Sequence, residues 1–340
     1  MRLAVEYYQM MGVEVILQMP EEGETCEEGL ARLMASDYKP TIFCLHQQQT
    51  LQKYADSLYD LTDSQAAAQL YSADFGMYLG EKLLALPVEV DWFGLIYNAK
   101  KLADAGFSRL DFYRPDIDRY RYILDIAQHL KSEGIDSFCE PDFANAAILS
   151  AVFADGAQLR SFIDLYVGNS CSGSNAMAAF QSGKNIFYAS TSANFEAALS
   201  IGAENVDLLP AFVDGCNTMR YTCDNFLAIY RADYDPDVQA TLAFLSWMVS
   251  GRPEGGIPMD MLGGRSPYKA AAVEGNALEK LLRKYMAQEP AQLVWDATAV
   301  GVSEMEAFQE ALKAYYAKPD DDTWQNVESF IKKKEESADA

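Results

Sequence analysis

The sequence predicts a large α/β protein built from two lobes. Three observations carry that prediction. Strands and helices alternate through the first 107 residues, 340 residues are long for one hydrophobic core and comfortable for two, and half of the residues are hydrophobic with 12% aromatic. Alternation of this kind implies mainly parallel sheets flanked by helices.

Each element has a local reason. An amphipathic helix is expected at Leu3–Met11, and Gly12 leads into a strand, VEVILQM, at residues 13–19. A helix follows at Glu27–Ala35 and a strand at Thr41–Leu45. Asp60-Leu61-Thr62-Asp63 is expected to cap a further helix, because Asp and Thr side chains accept from the open N–H groups of a first turn. In LPVEVDWFGLIYNAKKLADAGF (Leu86–Phe107), Val88, Val90, Phe93, Leu95 and Ile96 make a strand, and Leu102 and Ala103 begin a helix that ends at Gly106.

Residues 119–133 form an amphipathic helix closed by Gly134. A short helix at 176–183 precedes a strand at Asn185–Ala189. A strand around Thr222–Arg231 leads to a helix at Asp237–Ser250, with Leu242, Leu245, Trp247 and Met248 inward. From Ala277 the chain reads as helical, and its charged end, KKKEESADA, as a frayed tail. No repeat or low-complexity linker interrupts the chain, so the crossings between lobes are expected to be strands.

Composition excludes several classes. A formal charge of −23 argues against nucleic acid, whose phosphates need a basic surface. No apolar run reaches the ~18 residues that span a bilayer. The six cysteines (Cys26, Cys44, Cys139, Cys171, Cys216 and Cys223) show no C-x-x-C pair and no zinc spacing, and read as buried or free thiols. Cys216 and Cys223 alone are close enough in sequence to suggest a local bridge.

Catalytic signatures are missing. GNSCSG (Gly168–Gly173) has the wrong spacing for a nucleophile elbow, and Gly183-Lys184 lacks the rest of a phosphate loop. His46 and His129 are the only imidazoles, and His129 reads as a surface helix residue. Carboxylates are abundant, so no Asp/Glu pair is singled out. Neither a cofactor nor a metal is expected.

Five segments occur in a telling order: KPTIFCLH (Lys39–His46), Leu86–Phe107 with Tyr97, Asn98 and Lys100, EPDFANAA (Glu140–Ala147), AFQSGKNIFYASTSANF (Ala179–Phe195), and NFLAIYR (Asn225–Arg231) with the following helix and GGRSPY (Gly263–Tyr268). Together they resemble the extracellular solute-binding proteins of ABC importers, in the carbohydrate-binding family of maltodextrin-binding type.

The resemblance implies a two-lobed periplasmic-binding-protein-like fold joined by strand hinges. Lobe 1 would hold residues 1–91 with about 226–268, lobe 2 residues 92–225 with about 269–335, and 336–340 would be the tail. It implies a receptor that captures a small solute, a mono- or oligosaccharide, in an interlobe cleft and delivers it to membrane permease subunits. Such a protein is a monomer, not an enzyme, and works in the extracellular or periplasmic space. Two alternatives stand beside this one, a receptor of the same fold for a non-sugar solute and a two-lobed transferase-type enzyme.

The chain departs from the family in two ways. Members begin with a strand ahead of the opening helix, and here that strand and the export signal are missing, so an anchor is expected in an N-terminal segment absent from this chain. Several sugar-stacking aromatics are also replaced: Cys44, Asp142, Asn145 and Ala193 stand in their places, while Phe143, Phe195, Trp92 and Trp295 remain. Fewer platforms imply a smaller sugar, another polar solute, or a differently arranged cleft.

The expected ligand contacts follow from these segments. Asp91 can accept hydroxyl hydrogen bonds at the crossing and Trp92 can face the ligand; the alternative is that Trp92 fills core. His46, Gln47 and Gln48 follow a strand end, where α/β ligands sit, and amides suit hydroxyls; the alternative is an ordinary polar loop. Glu140, Phe143 and Asn145, the polar group Ser190, Thr191, Ser192 and Asn194, and Arg220 with Tyr221 complete the set. Trp295 is equally readable as a stacking face or as core.

Overall fold

The structure, a computed structural model, describes residues 15–46, 48–114, 116–117, 119–139, 156–171, 175–209, 220–223, 225–231, 235–249, 265–269, 277–278, 280–282, 292–293 and 302–338. The chain divides into two compact units. Unit 1 comprises Met1–Val90, Cys223–Gly275 and Ala297–Ala299, and unit 2 comprises Asp91–Thr222, Asn276–Asp296 and Val300–Ala340. Among the described residues the chain passes between units at Val90/Asp91 and again at Thr222/Cys223.

Unit 1 contains α1 (Cys26–Ala35), β1 (Ile42–Leu45), α2 (Gln48–Tyr54), β2 (Met77–Leu79), β3 (Lys82–Pro87), β10 (Phe226–Ile229) and α7 (Asp235–Val249). α1 starts at a capping box: the Thr25 hydroxyl accepts from the Glu28 N–H, and the Glu28 carboxylate accepts from the Thr25 N–H. The sheet runs β1-β10-β3-β2. β10, buried at all four positions, lies antiparallel to β1 (Ile42 opposite Ile229) and to β3 (Ala228 opposite Ala85). The segment before the first passage is pinned from the chain's later part. Val90 donates to the Arg265 carbonyl, the Arg265 guanidinium lies 2.8 Å from Glu89, and the buried Tyr268 hydroxyl donates to the Pro87 carbonyl at 2.7 Å.

Unit 2 is built around β4 (Asp91–Asn98), followed by α3 (Ala99–Asp104), α4 (Arg119–Ser132), β5 (Phe138–Cys139), α5 (Gly156–Gly168), β6 (Ser170–Cys171), α6 (Ala176–Gln181), β7 (Phe187–Thr191), β8 (Val206–Leu209), β9 (Arg220–Thr222), β11 (Gln292–Leu293), α8 (Val302–Ala317) and α9 (Asp321–Ala338). β4 pairs antiparallel with β7 on one side, and with β9 and then β8 along the other. A side chain at Gly94 has no room there, because an added Cβ would stand 2.5 Å from the Leu208 methyl and 2.7 Å from the Leu209 carbonyl. The core joins Leu95 and Tyr97 of β4 to Ile123, Ile126, Phe138 and Phe187, and to Phe308, Leu312 and Tyr315 of α8. α8 and α9 are fastened to α5 through Arg160. Its guanidinium lies over the Tyr315 and Trp324 rings and donates to Asp321 at 2.6 Å, while the Tyr315 hydroxyl donates to Asp164 at 2.5 Å.

Several expectations need correction. Among the described residues six strand pairings are antiparallel and two parallel, against the mainly parallel sheets predicted. The reason is that β10 and β4, the strands that enter each unit at a passage, run opposite to their neighbours, while β7, β8 and β9 share one direction. The expected strand at 13–19 is not formed over residues 15–19, which leaves Ile16 74% and Met19 69% exposed. No described ladder includes this segment, and a strand needs a neighbour for its backbone groups.

The cap expected at Asp60–Asp63 is instead a local turn. The Asp60 carboxylate accepts from the Thr62 N–H and hydroxyl, and the cap of the helical turn Gln65–Ala68 is Ser64. The charged end is helical through Ala338, its Lys and Glu falling at helical spacing. In α7, Leu245 and Met248 are buried as expected, whereas Leu242 and Trp247 are half-buried.

Candidate functional site

Unit 2 brings three of the sequence-predicted segments to one end of its sheet. At the start of β4, Asp91 lies opposite Thr222, Trp92 opposite Tyr221 and Phe93 opposite Arg220 on β9. On the other flank of β4, Phe93 lies opposite Thr191 and Gly94 opposite Ser190 on β7. Segments about 100 residues apart in sequence thus meet in neighbouring rungs, because β4 serves as ladder partner to both β7 and β9.

Ser192, just past the end of β7, ties this end together. Its hydroxyl donates to the Asp91 carboxylate at 2.6 Å and accepts from the Trp92 N–H at 3.1 Å. Asp91 is half-buried and Ser192 is buried. Asn194 is half-buried at the start of the helical turn Phe195–Ala198, whose first ring is fully enclosed, so Phe195 is core and not a platform. Trp92 and Tyr221 are likewise fully buried, with ring centroids 5.5 Å apart and planes tilted by 53°. In this structure Trp92 packs on Tyr221 and presents no exposed stacking face.

In unit 1, His46 follows β1 and is half-buried. Gln48 opens α2, and its amide Nε2 donates to the Tyr78 carbonyl at 2.9 Å, so one of its two polar atoms holds the loop. Gln47, Glu140, Phe143, Asn145 and Trp295 lie outside the described residues, as does Cys216. Ser190, Thr191 and Arg220 are placed by their strand positions alone.

The described site residues supply hydrogen-bonding groups. Although Cys44 is exposed, the protein around its sulfur displaces enough water to push the thiol up to about 11, with a smaller raise from Cys26 against a lowering hydrogen bond from the Phe226 backbone, so the sulfur is protonated at neutral pH. His129 is an exposed residue of α4, 3.5 Å from Glu133 and edge-on to Phe107. Among the described residues no group of three His, Cys, Asp or Glu side chains is placed to hold a metal ion, and no helix is long and apolar enough to cross a membrane.

Sequence reasoning missed two arrangements. The bridging role of Ser192 has no local signature, since its partners lie 100 and 101 residues away. The Glu89–Arg265 pair beside the first passage was equally hidden, although GGRSPY had marked the neighbourhood.

The fold is similar to those of solved family 1 extracellular solute-binding proteins. Among solved structures, the binding protein MsmE from Bacillus subtilis, in an open conformation, superposes with a TM-score of 0.75 at 14% identity over 100% of this chain and 94% of its own. A family 1 extracellular solute-binding protein from Bifidobacterium longum subsp. infantis gives 0.72 at 13% identity, covering 98% and 94%. Apo RafE from Streptococcus pneumoniae gives 0.69 at 13% identity, covering 97% and 93%, and RafE has also been solved in complex with raffinose. No family model and no curated protein matches the sequence.

Proposed function

We propose that this chain is the substrate-binding receptor of an ABC importer, which captures a mono- or oligosaccharide and delivers it to membrane permease subunits outside the cytoplasmic membrane. The observation that carries the reading is the convergence of Asp91, Ser192, Arg220 and Asn194 at one end of the unit 2 sheet, on a fold whose solved examples include a raffinose complex. Asp91 accepts from sugar hydroxyls, and Ser192 holds its carboxylate in place. Trp92 and Tyr221 back the site, while His46, Gln47 and Gln48 after β1, together with Glu140, Phe143, Asn145, Ser190, Thr191 and Trp295, supply further contacts.

Recognition of this kind breaks no bond and needs no general base, in keeping with a protonated Cys44 and a surface His129. Binding acts by favouring one member of a pre-existing set of conformations. The protein works as a monomer.

Isothermal titration against raffinose, chitin oligosaccharides and monosaccharides tests the reading. The expected result is saturable binding without turnover, weakened at least about tenfold by Asp91→Asn, which corresponds to ~1.4 kcal/mol. Trp92→Phe should remove the ligand-induced change in indole fluorescence. Absence of heat with every sugar, combined with binding of a non-sugar solute, would replace the saccharide; turnover of any sugar would replace the receptor.

A further inference from the structure

We infer that Arg265 is a positioning residue for the candidate site, holding the two residues that lead into Asp91 and so fixing where that carboxylate stands. The inference rests on the reading of Asp91 as a ligand contact. Each residue from Pro87 to Trp92 is fastened to a distant part of the chain. The Pro87 carbonyl accepts from the Tyr268 hydroxyl at 2.7 Å, and the Val88 N–H donates to the Asn225 carbonyl at 2.8 Å. Arg265 then grips the last two residues before the passage: its guanidinium lies 2.8 Å from the Glu89 carboxylate, and its carbonyl accepts from the Val90 N–H at 2.8 Å. Ser192 grips the first two residues after it, at the Asp91 carboxylate and the Trp92 N–H. Between the two grips lies the Val90–Asp91 peptide, whose planarity leaves Val90 ψ and Asp91 φ as the soft dihedrals.

Arg265 has a firm base for this. The residues that follow it are tied to the chain around position 70. The Tyr71 N–H donates to the Pro267 carbonyl at 2.9 Å, the Lys269 N–H donates to the Gln69 carbonyl at 2.7 Å, and Leu70 and Tyr268 form a β-bridge. Ser266 and Tyr268 are buried. The Glu89 and Arg265 side chains are 29% and 31% exposed, so salt screens their pair less than it screens an open surface pair.

Loss of the guanidinium frees Glu89 and leaves the Val90 bond, which uses the Arg265 main chain, as the remaining grip. The entry to β4 then samples more values of Val90 ψ, and a ligand that needs Asp91 in one place must first order it. The cost appears as lower affinity, in proportion to the fraction of time the carboxylate is in place. Arg265 acts through Asp91.

The test compares Arg265→Met, Glu89→Gln and Arg265→Lys in the full chain, each alone and combined with Asp91→Asn. Isothermal titration with raffinose or a chitin oligosaccharide is expected to show affinity at least about threefold lower for Arg265→Met and Glu89→Gln, no further loss when the two are combined, and recovery in Arg265→Lys, which restores the charge. In the Asp91→Asn background the same changes should leave affinity unaltered, whereas a general loosening of the fold weakens binding equally in both backgrounds. A second measurement needs no ligand: amide exchange at Trp92, beyond the passage, should quicken at least about threefold in Arg265→Met while the amides of β10 are unchanged. Wild-type affinity in Arg265→Met and Glu89→Gln, or losses that add to that of Asp91→Asn, overturns the inference. So does exchange that quickens at Val90 alone, which marks a brace confined to unit 1. A wild-type chain that binds neither sugar counts against the saccharide reading, and exchange at Trp92 then decides the positioning role on its own.

Discussion

Ser192→Ala removes one hydroxyl and two hydrogen bonds from the end of the unit 2 sheet. The first loss leaves the Trp92 N–H, enclosed beneath a fully buried indole, without its Ser192 acceptor. A buried donor left unsatisfied costs about 1–3 kcal/mol. The second loss takes a short donor, 2.6 Å, from a half-buried carboxylate, and bonds to charged groups contribute ~1.5–3 kcal/mol. One hydroxyl makes both bonds, so the two contributions are not additive, and a destabilisation of about 2–4 kcal/mol is expected.

The assay is urea unfolding followed by tryptophan fluorescence, with Trp92 as a reporter at the altered site. With a slope of ~3 kcal/mol per M, a loss of ~3 kcal/mol moves the midpoint down by about 1 M. The double variant with Asp91→Asn should be less destabilised than the sum of its parts, because both single changes break the same bond. A Ser192→Ala midpoint within about 0.2 M of the wild type, or strict additivity with Asp91→Asn, would refute the bridging role.

Three further outcomes are expected. Gly94→Ala forces a methyl against the Leu209 carbonyl, a backbone atom that cannot swing aside, so the β4–β8 ladder should open and stability should fall by more than about 2 kcal/mol, seen as faster amide exchange at Val206–Leu209. Asp320 precedes α9, accepts from the Thr323 N–H at 2.9 Å and pairs with Lys318. The Lys318 ammonium first, and then the Thr323 bonds, hold its carboxyl at about 2, below the ordinary value of 3.8. A depressed folded pKa means that the contribution is fully present above pH ~4 and is lost as pH falls through 2. The start of α9 should therefore loosen across that window, and Asp320→Asn should abolish the dependence. Tyr315→Phe, which loses the hydroxyl bonds to Asp164 and Arg160, should lower stability by ~1–2 kcal/mol in thermal unfolding.

Reading the sequence located the elements whose signals are local. The helix ended by Gly134, the strand through Leu95 and Ile96 and the polar stretch Ser190–Asn194 each announce themselves within a dozen residues, through periodicity or a glycine at positive φ. Strand direction was not legible. Alternating strands and helices look the same whether the partner is a sequential neighbour or, as for β10, a strand placed between two others made far earlier.

The same limit explains the site. Asp91 was picked out as a carboxylate in an apolar strand, but its contact with Ser192 depends on a register fixed by the whole β4–β7 ladder. Trp92 was read as able to face a ligand from its place at the crossing, with a core position as the alternative. The ring that covers it, Tyr221, arrives from β9, 129 positions later by subtraction, and no local pattern forecasts that. The strand expected at residues 13–19 shows the converse error, since alternation states that a segment can be extended and says nothing of whether a neighbour is there to receive it.

The position of β10 between β1 and β3 has a consequence for synthesis. β3 ends at Pro87 and β10 ends at Ile229, so 142 residues (229 minus 87) must leave the ribosome before the slot in the middle of this sheet is filled. At roughly 5–20 residues per second that interval lasts about 7–28 s. During it the nascent chain carries two strand edges that face each other across a gap, while unit 2, whose strands β4 to β9 fall within one stretch, can begin to assemble. The half of the molecule made first is thus the half that must wait, and it is the one for which a holding chaperone would matter.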